Sequence, residues 1–211
     1  MEAPSTRRVL VYGDSNTWGY VPGGGRLPEE AIFPAVASRV PGCPDIAANG
    51  LNGRATVWEH RLFPMELHGG ATLANVLEQY LPLQGLVIML GTNDVMAPLN
   101  LDGARIADNL ARMARLARNR CGATLRIVFL SPPPLAAHGI EELCATGYGT
   151  PDILGQNLAA PLRLAAQREH VFFLDGSQAL AHMDAEDGFH LSSAGHRAIG
   201  ELLGSFLAQN T

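Results

Sequence analysis

The chain has 211 residues, of which 47% are hydrophobic and 17% charged, and its formal net charge is −5. This composition is typical of one globular domain, which we predict over residues 1–211, and no apolar run approaches the roughly 20 residues that cross a bilayer. The acidic balance argues against a basic face that binds nucleic acid. All fifteen Lys and Arg residues are arginine, and the lack of lysine excludes Schiff-base chemistry and a Walker-type phosphate loop.

Short apolar runs predict five strands, of which the first is Arg8 to Tyr12. The others are residues 46–48, 86–90, 125–130 and 171–174. Each run is continuous rather than alternating, which is typical of strands that are buried on both faces of a parallel sheet.

Segments with apolar residues three and four positions apart follow these strands and predict helices. Their apolar stripes span residues 73–80, 106–116, 158–165 and 199–206. Alternating strands and helices predict an α/β fold in which helices cover both faces of a parallel sheet. Residues 136–150 show no clear period, and we interpret them as a long surface loop or a short helical excursion.

Polar clusters follow several of the predicted strands. They read GDSN at residues 13–16, NGLNGR at 49–54, GTND at 91–94 and DGFH at 187–190. Each cluster by itself is typical of a turn. Because ligands bind beyond the carboxyl ends of the strands in such sheets, the four clusters together supply the parts of an acyl-transfer site.

A hydroxyl nucleophile needs a base within hydrogen-bond reach, and the base needs a partner that fixes its tautomer. We predict Ser15 as the nucleophile, His190 as the base, and Asp187 as the partner of His190. His196 is assigned to the first turn of the last helix. The remaining histidines have no carboxylate at a comparable offset and are interpreted as surface or structural residues: His60, His68, His138, His170 and His182.

Acyl transfer also needs donors that stabilise a developing oxyanion. The backbone N–H groups of Ser15 and Gly53 and the side-chain amide of Asn93 are the candidates. Asp14 and Asp94 are predicted to accept hydrogen bonds that tie the strand-exit loops together.

These blocks resemble the SGNH hydrolases, also called the GDSL esterase family, whose letters stand for Ser, Gly, Asn and His. The chain carries them in the family's order as Ser15, Gly53, Asn93 and His190. The stretches YGDSNTWGYVP, VIMLGTND, LSPPPLA and DGFHLSSAGH are similar to the small bacterial arylesterase and acyltransferase branch. The resemblance implies a flavodoxin-like, three-layer α/β/α fold with about five strands. It also implies the catalytic roles named above, an oxyanion hole formed by Ser15, Gly53 and Asn93, and a homo-oligomer.

The chain departs from the family pattern at two positions. Asn16 replaces the leucine of the GDSL signature, which puts a polar group behind the nucleophile and removes no catalytic part. Asn52 stands where a serine is expected. Trp18 and Phe189 are candidates to line the substrate pocket, with simple packing as the alternative.

We therefore predict a serine esterase that hydrolyses short-chain acyl esters, aryl or alkyl, through an acyl-serine intermediate. Acetylated small molecules are included, and transfer of the acyl group to alcohols is a second outcome. The expected partner is a small-molecule ester, and no cofactor or metal is expected. One alternative is a metal-dependent phosphoesterase that uses Asp14, Asn93, Asp94 and His190 as ligands; another is a catalytically silent binding module on the same fold.

The N-terminal segment MEAPSTRR is polar and lacks the apolar region of a secretory signal. The three cysteines, Cys43, Cys121 and Cys144, form no CxxC pair, and their odd number argues against a disulfide framework. We predict a cytoplasmic protein that does not enter the membrane.

Overall fold

The centre of the structure, a computed structural model that describes residues 8–58 and 60–210, is a sheet of five parallel strands. The strands are β1 (Arg8–Gly13), β2 (Asp45–Gly50), β3 (Gly85–Met89), β4 (Arg126–Ser131) and β5 (Phe172–Asp175). All five overlap the predicted runs, which confirms the α/β fold with a parallel sheet. The prediction for the segment MEAPSTRR falls largely on residues 1–7, which lie outside the described residues.

The inner and edge strands differ in burial. In β1, β3 and β4 nearly every residue is buried, whereas no residue of β2 is fully buried and Leu174 alone is buried in β5. The prediction of strands buried on both faces is therefore wrong for β2 and β5. These two strands form the edges of the sheet, where each has a neighbouring strand on one side and solvent reaches the other.

Eight α-helices occur within the described residues. They are α1 (Ser15–Trp18), α2 (Phe33–Ser38), α3 (Gly69–Tyr80), α4 (Gly103–Cys121), α5 (Ala137–Ala145), α6 (Pro151–Leu154), α7 (Ala159–Glu169) and α8 (Ser193–Asn210). The four predicted stripes lie on α3, α4, α7 and α8, and α5 is the helical excursion considered for residues 136–150. Helices α1, α2 and α6 were not predicted, because four to six residues are too few to show a helical period.

Helix α4 shows how sequence sets an element of this fold. Its N-terminus is capped by Asp102, whose Oδ1 accepts a hydrogen bond from the Arg105 N–H at 2.8 Å. Ile106, Leu110 and Met113 recur at helical spacing and are fully buried. Each such burial stabilises the fold by about 1.5–3 kcal/mol, so the stripe holds the helix on the sheet.

The strand order β2-β1-β3-β4-β5 reverses at β1: the chain runs from β1 out to β2 and then returns to β3 on the other side. Because parallel crossovers are right-handed, the reversal puts α2 on one face of the sheet and α3, α4 and α7 on the other. Accordingly α2 packs against α8, while α3 packs on α4 and α4 on α7. The loops after β1 and β3 diverge at this reversal, which is where ligands bind in such sheets.

No helix of the described part of the chain is long and apolar enough to cross a membrane.

Candidate active site

The turn after β1 places Ser15 at the start of α1. Asp14 precedes it as the N-cap, and its Oδ1 accepts a hydrogen bond from the Asn16 N–H at 2.9 Å. Gly13 lets this turn pass close to β3, since a Cβ at that position would come within 2.8 Å of the Met89 carbonyl oxygen. Ser15 is held at the mouth of the diverging loops and is 6% exposed.

The turn before α8 brings His190 and Asp187 to the same place. The Oγ of Ser15 lies 2.9 Å from Nε2 of His190, and Nδ1 of His190 lies 2.6 Å from Oδ2 of Asp187. With the Nδ1 proton donated to the carboxylate, Nε2 is left as an acceptor for the Ser15 hydroxyl. The structure thus brings together the three residues that the sequence singled out, in an order that can activate the hydroxyl as a nucleophile.

Asp187 is held in its charged form. Burial acts to raise the pKa of its carboxyl. The hydrogen bond and charge of His190, together with hydrogen bonds from two backbone N–H groups, outweigh burial, so the pKa lies below its usual value. Its Oδ1 accepts from the N–H groups of Phe189 and His190, each at 3.1 Å. A charged Asp187 orients the imidazole and stabilises an imidazolium when one forms.

Gly53 and Asn93, the other two residues predicted to donate N–H groups to an oxyanion, line the same cleft as Ser15. Gly53 sits at the third position of a turn closed by the Arg54 N–H and the Leu51 carbonyl, with φ +78°, a conformation that favours glycine. Within the described residues, the N–H groups of Gly53 and Ser15 donate to no protein acceptor. The Asn93 amide donates one hydrogen to the Arg54 carbonyl at 3.0 Å, which fixes the amide and leaves its second N–H for a ligand.

The cleft has a volume of about 300 Å³. Phe189 and Tyr20 form its aromatic wall, and their ring centroids each lie 4.7 Å from that of His190. The other lining residues are Ser15, Pro22, Gly23, Asn52, Gly53, Thr92, Asn93, Asp187 and His190. No lysine or arginine is among them.

Trp18, a candidate pocket residue, is not among the residues that line this cleft. An antiparallel bridge between Tyr20 and Arg26 folds the following loop back on itself. The bridge places the guanidinium of Arg26 5.4 Å from the Trp18 ring centroid, and the Arg26 Nε donates to the Trp18 carbonyl at 2.7 Å. In the structure Tyr20, two residues after Trp18, stands beside His190.

Arg54, which sequence reasoning missed, supports the site from behind. It is 4% exposed, its guanidinium lies 4.0 Å from the Tyr12 ring centroid, and its Nη1 donates to the carbonyls of Gly13 at 2.8 Å and Asn49 at 2.7 Å. Burial lowers its pKa, against the opposing charges of Tyr12 and Asp14. Arg54 therefore ties the ends of β1 and β2 to the loop that carries Gly53. An arginine directly after the NGLNG turn was the available signal.

Two buried carboxyls, those of Asp94 and Asp14, lie beneath the site, and Asp94 links the loops that follow β2 and β3. Oδ1 of Asp94 accepts hydrogen bonds from the Thr56 N–H at 2.9 Å and from the Thr56 hydroxyl. The oxygen of that hydroxyl in turn accepts a hydrogen bond from the Asn109 amide at 3.0 Å. Burial raises the pKa of Asp94 to about 7, against the Thr56 donors. Burial likewise raises the pKa of Asp14 to about 6. Asp94 thus accepts from a backbone N–H and a hydroxyl of another loop, whereas the hydrogen bond that Asp14 accepts from the Asn16 N–H stays within its own turn.

His196 lies in the first turn of α8, as predicted, and is fully buried. Its Nδ1 accepts from the Phe33 N–H at 3.2 Å, and burial lowers its pKa to about 4. It is therefore a neutral structural residue near pH 7. No group of three or more His, Cys, Asp or Glu side chains arranged to hold a metal occurs in residues 8–58 and 60–210, so the phosphoesterase alternative has no assembled ligand set there.

A model of the GDSL-like lipase/acylhydrolase family matches residues 11–198. A carbohydrate acetylesterase family member from Sinorhizobium meliloti is 30% identical with a TM-score of 0.82, the alignment covering 96% of this chain and 98% of that one. A second carbohydrate acetylesterase from S. meliloti is 25% identical, with a TM-score of 0.83 and coverage of 97% and 100%. An inhibitor-bound aryl esterase of M. smegmatis is 26% identical, with a TM-score of 0.82 and coverage of 97% and 100%. No curated protein matches the sequence.

Proposed function

The chain belongs to the GDSL-like lipase/acylhydrolase family and is a serine esterase, a carboxylic ester hydrolase, and from this premise we propose that it hydrolyses short-chain acyl esters through an acyl intermediate on Ser15. The observation that carries the proposal is the hydrogen-bonded row of Ser15, His190 and Asp187, at 2.9 Å and 2.6 Å, inside a cleft with three N–H donors. Family membership agrees with the resemblance that the four sequence blocks indicated.

The reaction runs in two halves. As the Ser15 oxygen bonds to the acyl carbon, its proton passes to Nε2 of His190, and that proton then goes to the departing alcohol as the ester bond breaks. Water next gives a proton to His190 while its oxygen attacks the acyl carbon, and the proton returns to Ser15 as the acid leaves. The N–H groups of Ser15, Gly53 and Asn93 stabilise the oxyanion in both halves.

The cleft favours small, uncharged esters. Its volume is about 300 Å³, at the small end for ligand sites, and its walls combine the rings of Tyr20 and Phe189 with the polar groups of Asn52 and Thr92. In the described part of the chain no arginine lines the cleft, so an anionic acyl group would find no guanidinium partner among those residues. Acetyl esters of sugars and aryl acetates are the proposed substrates, in keeping with what the similar structures are named for, and alcohols can replace water as acceptor.

The role of Ser15 is tested with Ser15→Ala. We expect turnover of p-nitrophenyl acetate and covalent labelling by a fluorophosphonate to be lost, while the thermal unfolding midpoint stays unchanged. Ser38→Ala is the matched control, since Ser38 is on the surface and bonds to the Ala35 carbonyl, and it should behave as the wild type. Labelling that persists in Ser15→Ala contradicts the proposal.

The acyl preference is tested with p-nitrophenyl esters of rising chain length, with and without added alcohol. The cleft volume predicts that kcat/KM falls as the chain lengthens beyond a few carbons. The fraction of ester formed with alcohol measures acyl transfer against hydrolysis. A rate that rises steadily with chain length excludes the short-chain assignment.

We also propose a cytoplasmic homo-oligomer. Cys43, Cys121 and Cys144 are all free, which suits a reducing compartment. The side chains of Leu62 and Met65 are 83% and 66% exposed, which suits a surface that a second copy covers. Light scattering of the purified protein tests the oligomer.

A further inference from the structure

The side chain of Asn16 joins the two halves of the active site. Asn16 directly follows Ser15 and is 1% exposed. Its Oδ1 accepts a hydrogen bond from the Leu191 N–H at 2.8 Å, and its Nδ2 donates to the Phe189 carbonyl at 3.4 Å. Leu191 and Phe189 flank His190, so one amide holds the main chain on both sides of the imidazole.

The turn that carries His190 is also held by its own residues and by the segment that follows β4. Asp187 accepts from the N–H groups at 189 and 190, and the Ala185 N–H donates to the His190 carbonyl at 3.1 Å. The Ala136 N–H also donates to the Gly188 carbonyl at 2.8 Å, and Nε2 of His138 lies 3.2 Å from the Glu186 carbonyl oxygen. These bonds shape the turn and hold it against the segment after β4, and they do not reach α1. In the described part of the chain, the hydrogen bonds that join residues 185–191 to residues 14–20 are those of Asn16 and the Ser15–His190 bond itself.

We propose that Asn16 is a positioning residue, which sets the distance between the Ser15 hydroxyl and the imidazole of His190. The proposal rests on the catalytic roles proposed for Ser15 and His190. Leucine, the residue of the GDSL signature at this place, has nearly the shape of asparagine but no polar atom. In Asn16→Leu the buried Leu191 N–H loses its acceptor, so the turn shifts to find another partner. A misplacement of about 1 Å costs about a hundredfold in rate.

The test compares Asn16→Leu with wild type in steady-state hydrolysis of p-nitrophenyl acetate and in the rate of fluorophosphonate labelling. We expect kcat and the labelling rate to fall by about tenfold to a hundredfold, with KM changed less than twofold, since Asn16 does not line the cleft. Gln156→Leu is the matched control. The Gln156 side chain likewise joins separate segments, because it accepts from the Gly103 N–H and donates to the Leu101 carbonyl. These bonds lie away from the cleft, so Gln156→Leu should leave kcat unchanged.

Asn16→Asp is the second variant, because it keeps an acceptor for the Leu191 N–H and so should fold where leucine does not. Because the acceptor is kept, kcat of Asn16→Asp should exceed that of Asn16→Leu. A folded Asn16→Leu with wild-type kcat overturns the proposal, as does an equal loss in Gln156→Leu or a folded Asn16→Asp whose kcat is no higher than that of Asn16→Leu. Failure of the wild type itself to react with the fluorophosphonate would instead contradict the proposed function.

Discussion

Replacing Asn93 by alanine isolates the side-chain donor of the proposed oxyanion hole. Within the described residues, the Asn93 amide donates to the Arg54 carbonyl at 3.0 Å, and Asn93 also lines the cleft. Asn93→Ala therefore removes a ligand donor and one internal bond, while the Ser15–His190–Asp187 row is untouched. We expect a large loss in rate and a small loss in stability.

The two losses can be separated in size. Loss of one oxyanion donor costs about a hundredfold to a thousandfold in kcat, or about 2.7–4 kcal/mol of transition-state stabilisation. Loss of the internal bond to the Arg54 carbonyl costs about 1 kcal/mol of the free energy of unfolding. Because the backbone donors of Ser15 and Gly53 remain, turnover should stay measurable above the level of Ser15→Ala.

The assay is steady-state hydrolysis of p-nitrophenyl acetate together with urea unfolding. Asn157→Ala is the matched control, since the Asn157 side chain accepts a bond from the Ala159 N–H at 2.9 Å at the start of α7. That variant should lose about 1 kcal/mol of stability and keep its kcat. A kcat of Asn93→Ala within about threefold of wild type would correspond to a loss of less than ~1 kcal/mol in transition-state stabilisation. That result would refute the assignment of Asn93 to the oxyanion hole.

Two further predictions concern the buried charges beneath the site. In Arg54→Lys the ammonium cannot reproduce the fork of hydrogen bonds to the carbonyls of Gly13 and Asn49. The free energy of unfolding should therefore fall by about 1.5–3 kcal/mol, and kcat should fall with it. A change below about 0.5 kcal/mol in urea unfolding would show that the buried guanidinium is dispensable. Folding raises the pKa of Asp94 from 3.8 to about 7, so between these values the folded protein holds a proton on Asp94 that the unfolded chain releases. The contribution of Asp94 to the free energy of unfolding therefore declines as the pH rises from about 4 to about 7. Asp94→Asn removes that decline, and its unfolding free energy relative to wild type should improve steadily across this window; parallel pH profiles would contradict the raised pKa.

Much of the fold and site follows from local patterns in the sequence. Continuous apolar runs and helical stripes predicted all five strands and the four longer helices. The positions of Ser15 and Asn93 just after β1 and β3, together with the cluster that holds His190 between β5 and the last helix, then predicted that these residues meet. That inference works because the strands are parallel, so that every strand end lies at the same edge of the sheet.

Other features depended on the tertiary structure. Tyr20 rather than Trp18 faces His190 because a bridge to Arg26 sets the path of the loop. The reversal of strand order at β1 decided which strands form the edges, and hence which are partly exposed. Asn16 gained its partners, Phe189 and Leu191, from more than 170 positions away. Such contacts join segments that lie far apart in the sequence, and the spacing of apolar residues within each segment does not show which segments will meet. The packing of the folded chain decides these contacts.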